Sequence, residues 1–404
     1  VKSHRVRLSF GSALFFLGGC AQLPPLDAGT GATLPGCSTE AVEIRFDFEG
    51  APPSRCIIEG EREFSVLISP EHAPPINPSP WYAFRYDAEG PENVIVHLRY
   101  LGGKHRYRPK WRREAYAKVL DAEVRDEGRT ATLVLPSGQA LVSGQELIGA
   151  PEYERLIARL DNSAMVSRET LGHSHEGRPI EALRIGPKSA TKVAVLLGRQ
   201  HPPEVSGAIA MEHFLEALVS LADAGHFDVH DLQVLAVPLL NPDGVARGHW
   251  RANLGGVDLN RDWGTFAQPE TRAVAQWLER MAGQVRPVAM VDFHSTSRNL
   301  FYVQGDEASE DQERFLARWL GGKEQLIAGY PFSIERRNAN PGAGTAKNWF
   351  HATYRVPAYT YEVGDETDRP AIARAARGLG KDFIGTLSLW GSQENHANDR
   401  DHGK

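Results

Sequence analysis

The sequence predicts an α/β domain built on a largely buried sheet and preceded by a smaller antiparallel β-sandwich. Three observations lead there. From Pro151 onward, apolar runs of strand length alternate with segments of helical periodicity, the pattern of a sheet covered by helices. Before that point, residues 40–148 break into short alternating segments with turns rich in Gly, Pro and Asp and no helices between them. A length of 404 residues also exceeds the usual size of one domain, so two are expected. The composition is that of an ordinary globular protein, 41% hydrophobic and 24% charged. The formal net charge of -6 is spread over interspersed signs, which leaves no basic face for nucleic acid.

Taken in order, the chain opens on a targeting segment, residues 1–20. Lys2, Arg5 and Arg7 form a positive start, Leu8 to Leu17 an apolar stretch, and Leu17-Gly18-Gly19-Cys20 a small-residue close. That close resembles the lipobox of bacterial lipoproteins. The resemblance implies a lipidated Cys20 as mature N-terminus, attachment to a membrane through the lipid and residence in a bacterial cell envelope. Ala21 at the next position is compatible with outer-membrane sorting. An ordinary secretion signal or a short anchor is the alternative. Residues 21–39 read as a linker, with Pro24, Pro25, Gly29, Gly31 and Pro35. Cys37 and Cys56 are then left over, and an oxidising compartment favours their pairing over two free thiols. The bond would close a loop of about twenty residues and contribute up to ~3 kcal/mol. No stretch after residue 20 is apolar for long enough to suggest a membrane span.

Within residues 40–148 the strand candidates are Val42–Phe48, Phe64–Ile68, Trp81–Tyr86, Val94–Leu98 and Ala131–Leu135. The aromatic run from Trp81 to Tyr86 is expected to fill the core rather than to stack on a ligand. Residues 149–391 form the second domain. Helices are expected over Pro151–Arg168, Val205–Leu221, Gln268–Val285, Asp306–Gly329, Thr345–Tyr354 with Thr345 as cap, and Pro370–Trp390. Strands are expected at Ile180–Ile185, Val193–Leu197, Leu232–Leu240, Pro287–Phe293, Asn299–Gln304, Phe332–Arg336 and Val356–Val363. Asn338–Gly344 reads as a loop, and residues 392–404, nearly devoid of apolar side chains, as a disordered tail. His173 and His175 sit on a polar loop without acidic or thiol partners at useful spacing and are not expected to be functional, while His226 and His230 have helical spacing but follow Gly225 on a loop and are expected at the surface.

The chemistry concentrates at strand ends. In Gly198-Arg-Gln-His201-Pro-Pro-Glu204, an imidazole and a carboxylate stand three residues apart on a strand-to-helix turn, close enough to converge on one point. Nitrogen with carboxylate oxygen suits zinc, but two ligands hold a metal poorly. The best third candidate is His294 in Val291-Asp292-Phe293-His294-Ser295, at the end of another apolar strand. Two His and one Glu leave a coordination position open for water, the mark of a catalytic rather than a structural zinc. Asp292 or a nearby carbonyl is expected to orient His294.

Further stretches follow in order: Asn241-Pro-Asp-Gly244 leading into His249-Trp250-Arg251-Ala252-Asn253, then Gly256-Val-Asp-Leu-Asn260-Arg261-Asp262-Trp263, then Tyr359-Thr-Tyr-Glu362-Val-Gly-Asp365. Together with the two histidine motifs, their order and spacing resemble the zinc carboxypeptidase family, over roughly Glu169 to Trp390. The β-rich segment resembles, more weakly, the small β domain that precedes the catalytic domain in cytosolic-type members. The resemblance implies a mixed sheet flanked by helices and a hydrolase that removes C-terminal residues from peptides with Zn2+ as cofactor. It implies His201, Glu204 and His294 as metal ligands, Glu362 as general acid/base and Arg251 as stabiliser of the developing oxyanion. A planar guanidinium reads a free terminal carboxylate with two parallel hydrogen bonds, so Arg261, helped by Asn260, is the expected clamp. Arg247 lies on the same connection and is a weaker candidate for the groove.

Two positions depart from the family pattern. Pro203 stands where an arginine contacting upstream substrate is often found, and Asn340 where pancreatic-type members carry a lid tyrosine. Fifteen positions before Glu362, at the place that lies on the floor of the terminal side-chain pocket in those members, this chain has Lys347. That residue predicts a preference for acidic ends, provided it does not sit on the exposed side of its helix. Peptide substrates with a free C-terminus are the expected partners, peptidoglycan stem peptides among them. A deacylase-type zinc amidase and a non-enzymatic binding lipoprotein are the alternative readings.

Overall fold

A computed structural model describes residues 36–73, 76–114, 116–227, 231–305, 307–336 and 344–401, the last twelve of these by backbone alone. The targeting segment, Cys20 and nearly all of the expected linker, as well as Asn340 and His230, lie outside the described residues. The first half is all β: β1 (Cys37–Ser38), β2 (Val42–Arg45), β3 (Arg55–Gly60), β4 (Glu63–Ile68), β5 (Ala83–Ala88), β6 (Val94–Tyr100), β7 (Lys110–Arg113), β8 (Tyr116–Val119), β9 (Glu123–Arg125), β10 (Thr130–Leu135) and β11 (Ala140–Ser143). They form two sheets, ordered β1-β2-β5-β11-β7-β8 and β3-β4-β6-β10-β9. Alternation explains the pairing: in β6 every second residue from Val94 to Tyr100 is buried, so one face must meet an apolar partner. Phe64, Val66, Phe84, Tyr86, Val96 and Leu133 share that interior, which confirms the core role of the Trp81–Tyr86 aromatics. The expected all-antiparallel sandwich needs one correction, because β4 and β6 pair in parallel. Their connection runs through β5 in the other sheet, so the two strands enter from the same end. Cys37 and Cys56 form a disulfide with their Cα atoms 5.7 Å apart, joining β1 to β3.

The second half is built on a mixed sheet. It comprises α1 (Ala150–Leu160), β12 (Val166–His173), β13 (Pro179–Ile185), β14 (Lys192–Gly198), α2 (Val205–Asp223), β15 (Leu232–Val237), α3 (Pro242–Arg247), α4 (Pro269–Arg280), β16 (Arg286–Thr296), β17 (Leu300–Val303), α5 (Glu310–Trp319), β18 (Ser333–Arg336), α6 (Ala346–Tyr354), β19 (Ala358–Gly364) and α7 (Arg369–Asp401). Strand order is β12-β13-β15-β14-β16-β19-β17-β18, and the central strands β15, β14, β16 and β19 run parallel. Those central strands are apolar on both faces because helices cover both. Ala194 and Leu196 of β14 pack with α1, α2, α5 and α7, whereas Val193, Val195 and Leu197 pack with α4 and α6. The α2 helix is long and apolar enough to cross a membrane by composition, contrary to the sequence expectation, but most of it is buried as the central helix of this core.

Several element ends differ from the expectation for local reasons. Helix α1 stops at Leu160, and β-branched Val166 starts a strand against Ile185 instead of extending the helix. Helix α5 is shorter than expected because Gly321 and Gly322 follow its cap. Helix α3 is an addition, nucleated where the Asn241 side chain accepts from Gly244 N and ended by Gly248 in a left-handed conformation at φ 63°. The tail expected to be disordered continues α7 to Asp401. A packed helix has already met its nucleation cost, so polar residues extend it one hydrogen bond at a time.

The described residues pack as one compact unit, and the two halves share side chains. Val205 of α2 and Trp250 join the sandwich core. Lys110 bonds Glu366 at 2.8 Å, and Gln145 Nε2 donates to Asp365 O at 3.2 Å.

Candidate metal centre and active-site cavity

Three adjacent parallel strands deliver the site at their carboxyl ends, where α/β sheets open a crevice. β14 ends at Gly198, opposite Phe293 of β16. The chain then turns through Arg199, whose buried guanidinium donates to Pro202 O at 2.7 and 2.9 Å and fastens the turn. His201 sits on that turn, and Glu204 is the residue immediately before α2. His294 follows Phe293 on β16, and Glu362 lies opposite His294 on β19. Gly207 allows α2 to approach this closely, since a Cβ there would stand 2.4 Å from His294 O.

His201, Glu204 and His294 are buried, and their inner atoms meet. His201 Nδ1 lies 2.9 Å from Glu204 Oε1, His294 Nδ1 2.7 Å from Glu204 Oε2, and the two Nδ1 atoms 3.1 Å apart. On the far side of each ring an aspartate waits: Asp258 Oδ1 at 2.9 Å from His201 Nε2, and Asp292 Oδ2 at 2.7 Å from His294 Nε2. Such carboxylates hold the ring proton on Nε2 and turn the Nδ1 lone pair inward. Two inward lone pairs and a carboxylate at one point repel unless a cation or a proton sits among them. Two imidazole nitrogens and one carboxylate oxygen make a donor set that fits Zn2+. Without a cation, burial disfavours the charged forms, yet Asp292 and Glu204 raise the His294 pKa well above its ordinary value. His201 and His294 likewise hold Glu204 well below the usual carboxylate range against the opposing effect of burial. A metal entering here competes with protons, so its affinity rises with pH.

Asp292, expected as the partner of His294, is itself held by Gln200 Nε2 at 2.6 Å. Asp258 is the residue that sequence reasoning missed, although it stands inside a quoted motif. Its Oδ1 faces His201 and accepts from Asn260 N at 2.9 Å, and its Oδ2 accepts from Arg251 Nε at 2.8 Å. One carboxylate therefore orients a ligand, an arginine and the turn carrying Asn260 and Arg261. His201 and then Arg251 hold its pKa far below the ordinary range, although burial opposes them.

Glu71, on a loop of the sandwich half, was also missed. Its carboxylate accepts from Trp250 N at 2.8 Å, Arg251 N at 2.9 Å and Ala252 N at 2.6 Å. Three charge-assisted bonds to successive amides fix the backbone from which Arg251 projects. Glu71→Ala is therefore expected to lower turnover by about tenfold or more while zinc content stays unchanged. Wild-type turnover in that variant would remove Glu71 from the support of Arg251.

A cavity of about 430 Å³ gathers the remaining candidates. His201, Glu204, His294 and Glu362 line it together with Arg251, Asn260, Arg261 and Lys347. Glu362 Oε2 is buried and accepts no hydrogen bond among the described residues. Burial pushes its pKa up to about 7, with His294, His201 and Arg251 pulling the other way. Arg251 Nη1 reaches to 3.9 Å of Glu204 Oε1. Asn260 Nδ2 lies 3.2 Å from His294 Nε2 and Asn260 Oδ1 accepts from Ala346 N at 2.9 Å, while Arg261 is exposed at the mouth. Lys347 is not on the exposed side of α6: it is 1% exposed and lines the cavity, with Nζ 3.4 Å from Val303 O. Arg247 pairs with Glu176 away from the cavity lining. His173, His175 and His226 are exposed.

A sequence profile of the zinc carboxypeptidase family matches residues 153–377, more than half of the chain. The chain belongs to that family. Cytosolic carboxypeptidase 6 of Mus musculus is 30% identical over 248 residues, which cover 54% of this chain and 45% of that protein. The chain thus matches less than half the length of that curated relative. Among solved structures, a metallo-carboxypeptidase from Burkholderia cenocepacia superposes with a TM-score of 0.72 at 16% identity, covering 87% of this chain and 99% of the other. A metallo-carboxypeptidase from Pseudomonas aeruginosa, in complex with (2-guanidinoethylmercapto)succinic acid, does so with a TM-score of 0.66 at 23% identity, covering 86% and 98%. Those coverages take in the β-rich half as well as the catalytic one, so both belong to the shared fold. In this zinc carboxypeptidase chain the family's mixed sheet is the one that converges His201, Glu204 and His294.

Proposed function

We propose that the protein is a zinc metallocarboxypeptidase that hydrolyses C-terminal residues of peptides. One juxtaposition carries the reading: three buried metal-ligand side chains, a carboxylate whose Oε2 accepts no hydrogen bond among the described residues, and the guanidinium groups of Arg251 and Arg261 share one cavity. His201, Glu204 and His294 would hold Zn2+, which would supply Lewis acidity toward a carbonyl and a water. Glu362 Oε2 has no competing donor among the described residues, which suits it to accept the proton of the attacking water and return it to the leaving amine. Arg251, braced by Asp258 and by Glu71 through its backbone, presents a fixed positive charge to the oxygen on which negative charge develops. Arg261, with Asn260 beside it, holds the free terminal carboxylate and so restricts cleavage to the last residue.

The side chain of that last residue is read by Lys347. A buried ammonium in the cavity favours a carboxylate-bearing end and repels Lys or Arg ends, by ~2–4 kcal/mol for a desolvated pair. Terminal Glu, Asp and the carboxylate-bearing diaminopimelate of stem peptides meet that requirement. Wild type is expected to release Glu well ahead of Leu or Lys from a peptide series differing only at the last residue, read by mass spectrometry. Lys347→Glu should shift the preference toward basic ends. Equal release of Leu, Lys and Glu, or an unchanged preference in the variant, would remove Lys347 from specificity. Loss of all cleavage from free-acid peptides in zinc-loaded wild type would overturn the activity itself.

We further propose a place in the bacterial envelope, anchored through a lipid on Cys20. The Cys37–Cys56 disulfide supports export, since such bonds persist in oxidising compartments and are rare in the cytosol. Mass spectrometry of the N-terminal peptide from the native host tests this. A Cys20 carrying acyl chains is the expected result.

A further inference from the structure

The cavity is not closed by the catalytic half alone. Arg106, Asn77 and Ser79, all from the sandwich half, line it as well. Arg106 makes a bidentate pair with the buried Asp365, Nε to Oδ2 at 2.8 Å and Nη2 to Oδ1 at 3.3 Å. Its Nη1 donates to Ser79 Oγ at 2.8 Å, and its Nη2 reaches Ser295 O at 3.3 Å. A guanidinium has five N–H groups, and these bonds use four of them. The second N–H on Nη1 has no protein acceptor among the described residues, and the side chain is 26% exposed on the cavity wall.

Strand geometry says which part of a substrate this group meets. Along β19, Thr360 precedes Glu362 and Asp365 follows it. Thr360 lies opposite Tyr302, next to Val303 whose carbonyl Lys347 faces, so the terminal side chain belongs on that side of Glu362. Asp365 and its partner Arg106, which also reaches Ser295 opposite Val363, stand on the other side of Glu362, with Val363 about 10 Å from Thr360 along the strand direction at roughly 3.3 Å per residue. A peptide whose last residue occupies the Lys347 side and whose scissile bond faces Glu362 must send its preceding residues the other way, toward Arg106.

We propose that Arg106, with Asn77 on the same cavity wall, forms an upstream subsite in which the sandwich half holds a main-chain carbonyl N-terminal to the scissile bond. The inference rests on the carboxypeptidase reading. It makes peptides of three or more residues the ligands for which the cavity is built. Asp365 and Ser79 fix the guanidinium plane before the peptide arrives, which keeps the ordering cost of that contact low.

The test compares a dipeptide, a tripeptide and a tetrapeptide sharing the same acidic end, in wild type, Arg106→Lys and Asn77→Ala. In wild type kcat/KM should rise with length. Arg106→Lys should lower the ratio of tetrapeptide to dipeptide by about tenfold, and Asn77→Ala by a smaller factor. If Arg106 only braces Asp365 and Ser295, all lengths lose together and the ratio stays at its wild-type value, which overturns the subsite. Calorimetric affinities of the same peptides for zinc-loaded Glu362→Gln, with and without Arg106→Lys, read the same ratio without turnover. A wild type that binds but does not cleave would contradict the proposed activity, while those affinities would still decide the subsite.

Discussion

Alanine at His201 or at His294 is expected to yield folded protein without bound zinc and without measurable hydrolysis. Each imidazole supplies one of three convergent donors, so its removal leaves two, and a two-donor site does not retain the metal. The loss should be larger than for any other single change in the cavity, because the proposed roles of Glu362, Arg251 and Arg261 all depend on the metal. Elemental analysis after dialysis checks it: stoichiometric zinc in both variants would reject the ligand set. Replacing Asp258 by alanine should weaken zinc retention less severely, since it orients His201 without touching the metal.

Glu362→Gln is expected to keep its zinc and fold and to lose about two to four orders of magnitude in turnover. The amide is isosteric but accepts no proton in this range. The pH profile gives a second reading. Burial sets the carboxylate up to about 7, His294, His201 and Arg251 pull it down, and a bound cation adds to that pull. The base form is lost as pH falls through this value, so wild-type turnover should show an acid limb below pH 7 that the residual activity of Glu362→Gln lacks. Near wild-type turnover in the variant would exclude Glu362 from the chemistry.

How far the sequence could be read followed from the distance over which each contact acts. The ligand turn and the His294 and Glu362 motifs were legible because strand and motif are contiguous: an apolar run ends and the reactive residue is next. The doubly covered central strands were legible for the same reason, as unbroken apolar runs. Asp258 was hidden in plain view, because its partners His201 and Arg251 become neighbours only when the Leu259–Arg261 turn folds against β14 and β16. Glu71 and Arg106 left no signal at all. Their bonds to Arg251 N and Asp365 join residues 180 and 259 positions apart, and nothing in a polar loop announces such a partner. Lys347 was legible as a position but not as an orientation. Whether a helix turns a lysine inward depends on what packs beside it, here Val303 of β17 and the cavity wall. Helix ends were the least legible, as the early stop of α1 at Leu160 and the long run of α7 to Asp401 both show.

The central claim is that three convergent side chains make one catalytic zinc site for peptide hydrolysis. Titrating zinc into metal-free protein, with release of the last residue from an acidic-ended peptide as the readout, tests it most directly. Activity is expected to rise in proportion to added metal and to level off at one zinc per chain, with a C-terminally amidated copy of the peptide left intact. Activity that is indifferent to zinc, that levels off only at two or more equivalents, or that consumes the amidated peptide equally well would contradict the claim.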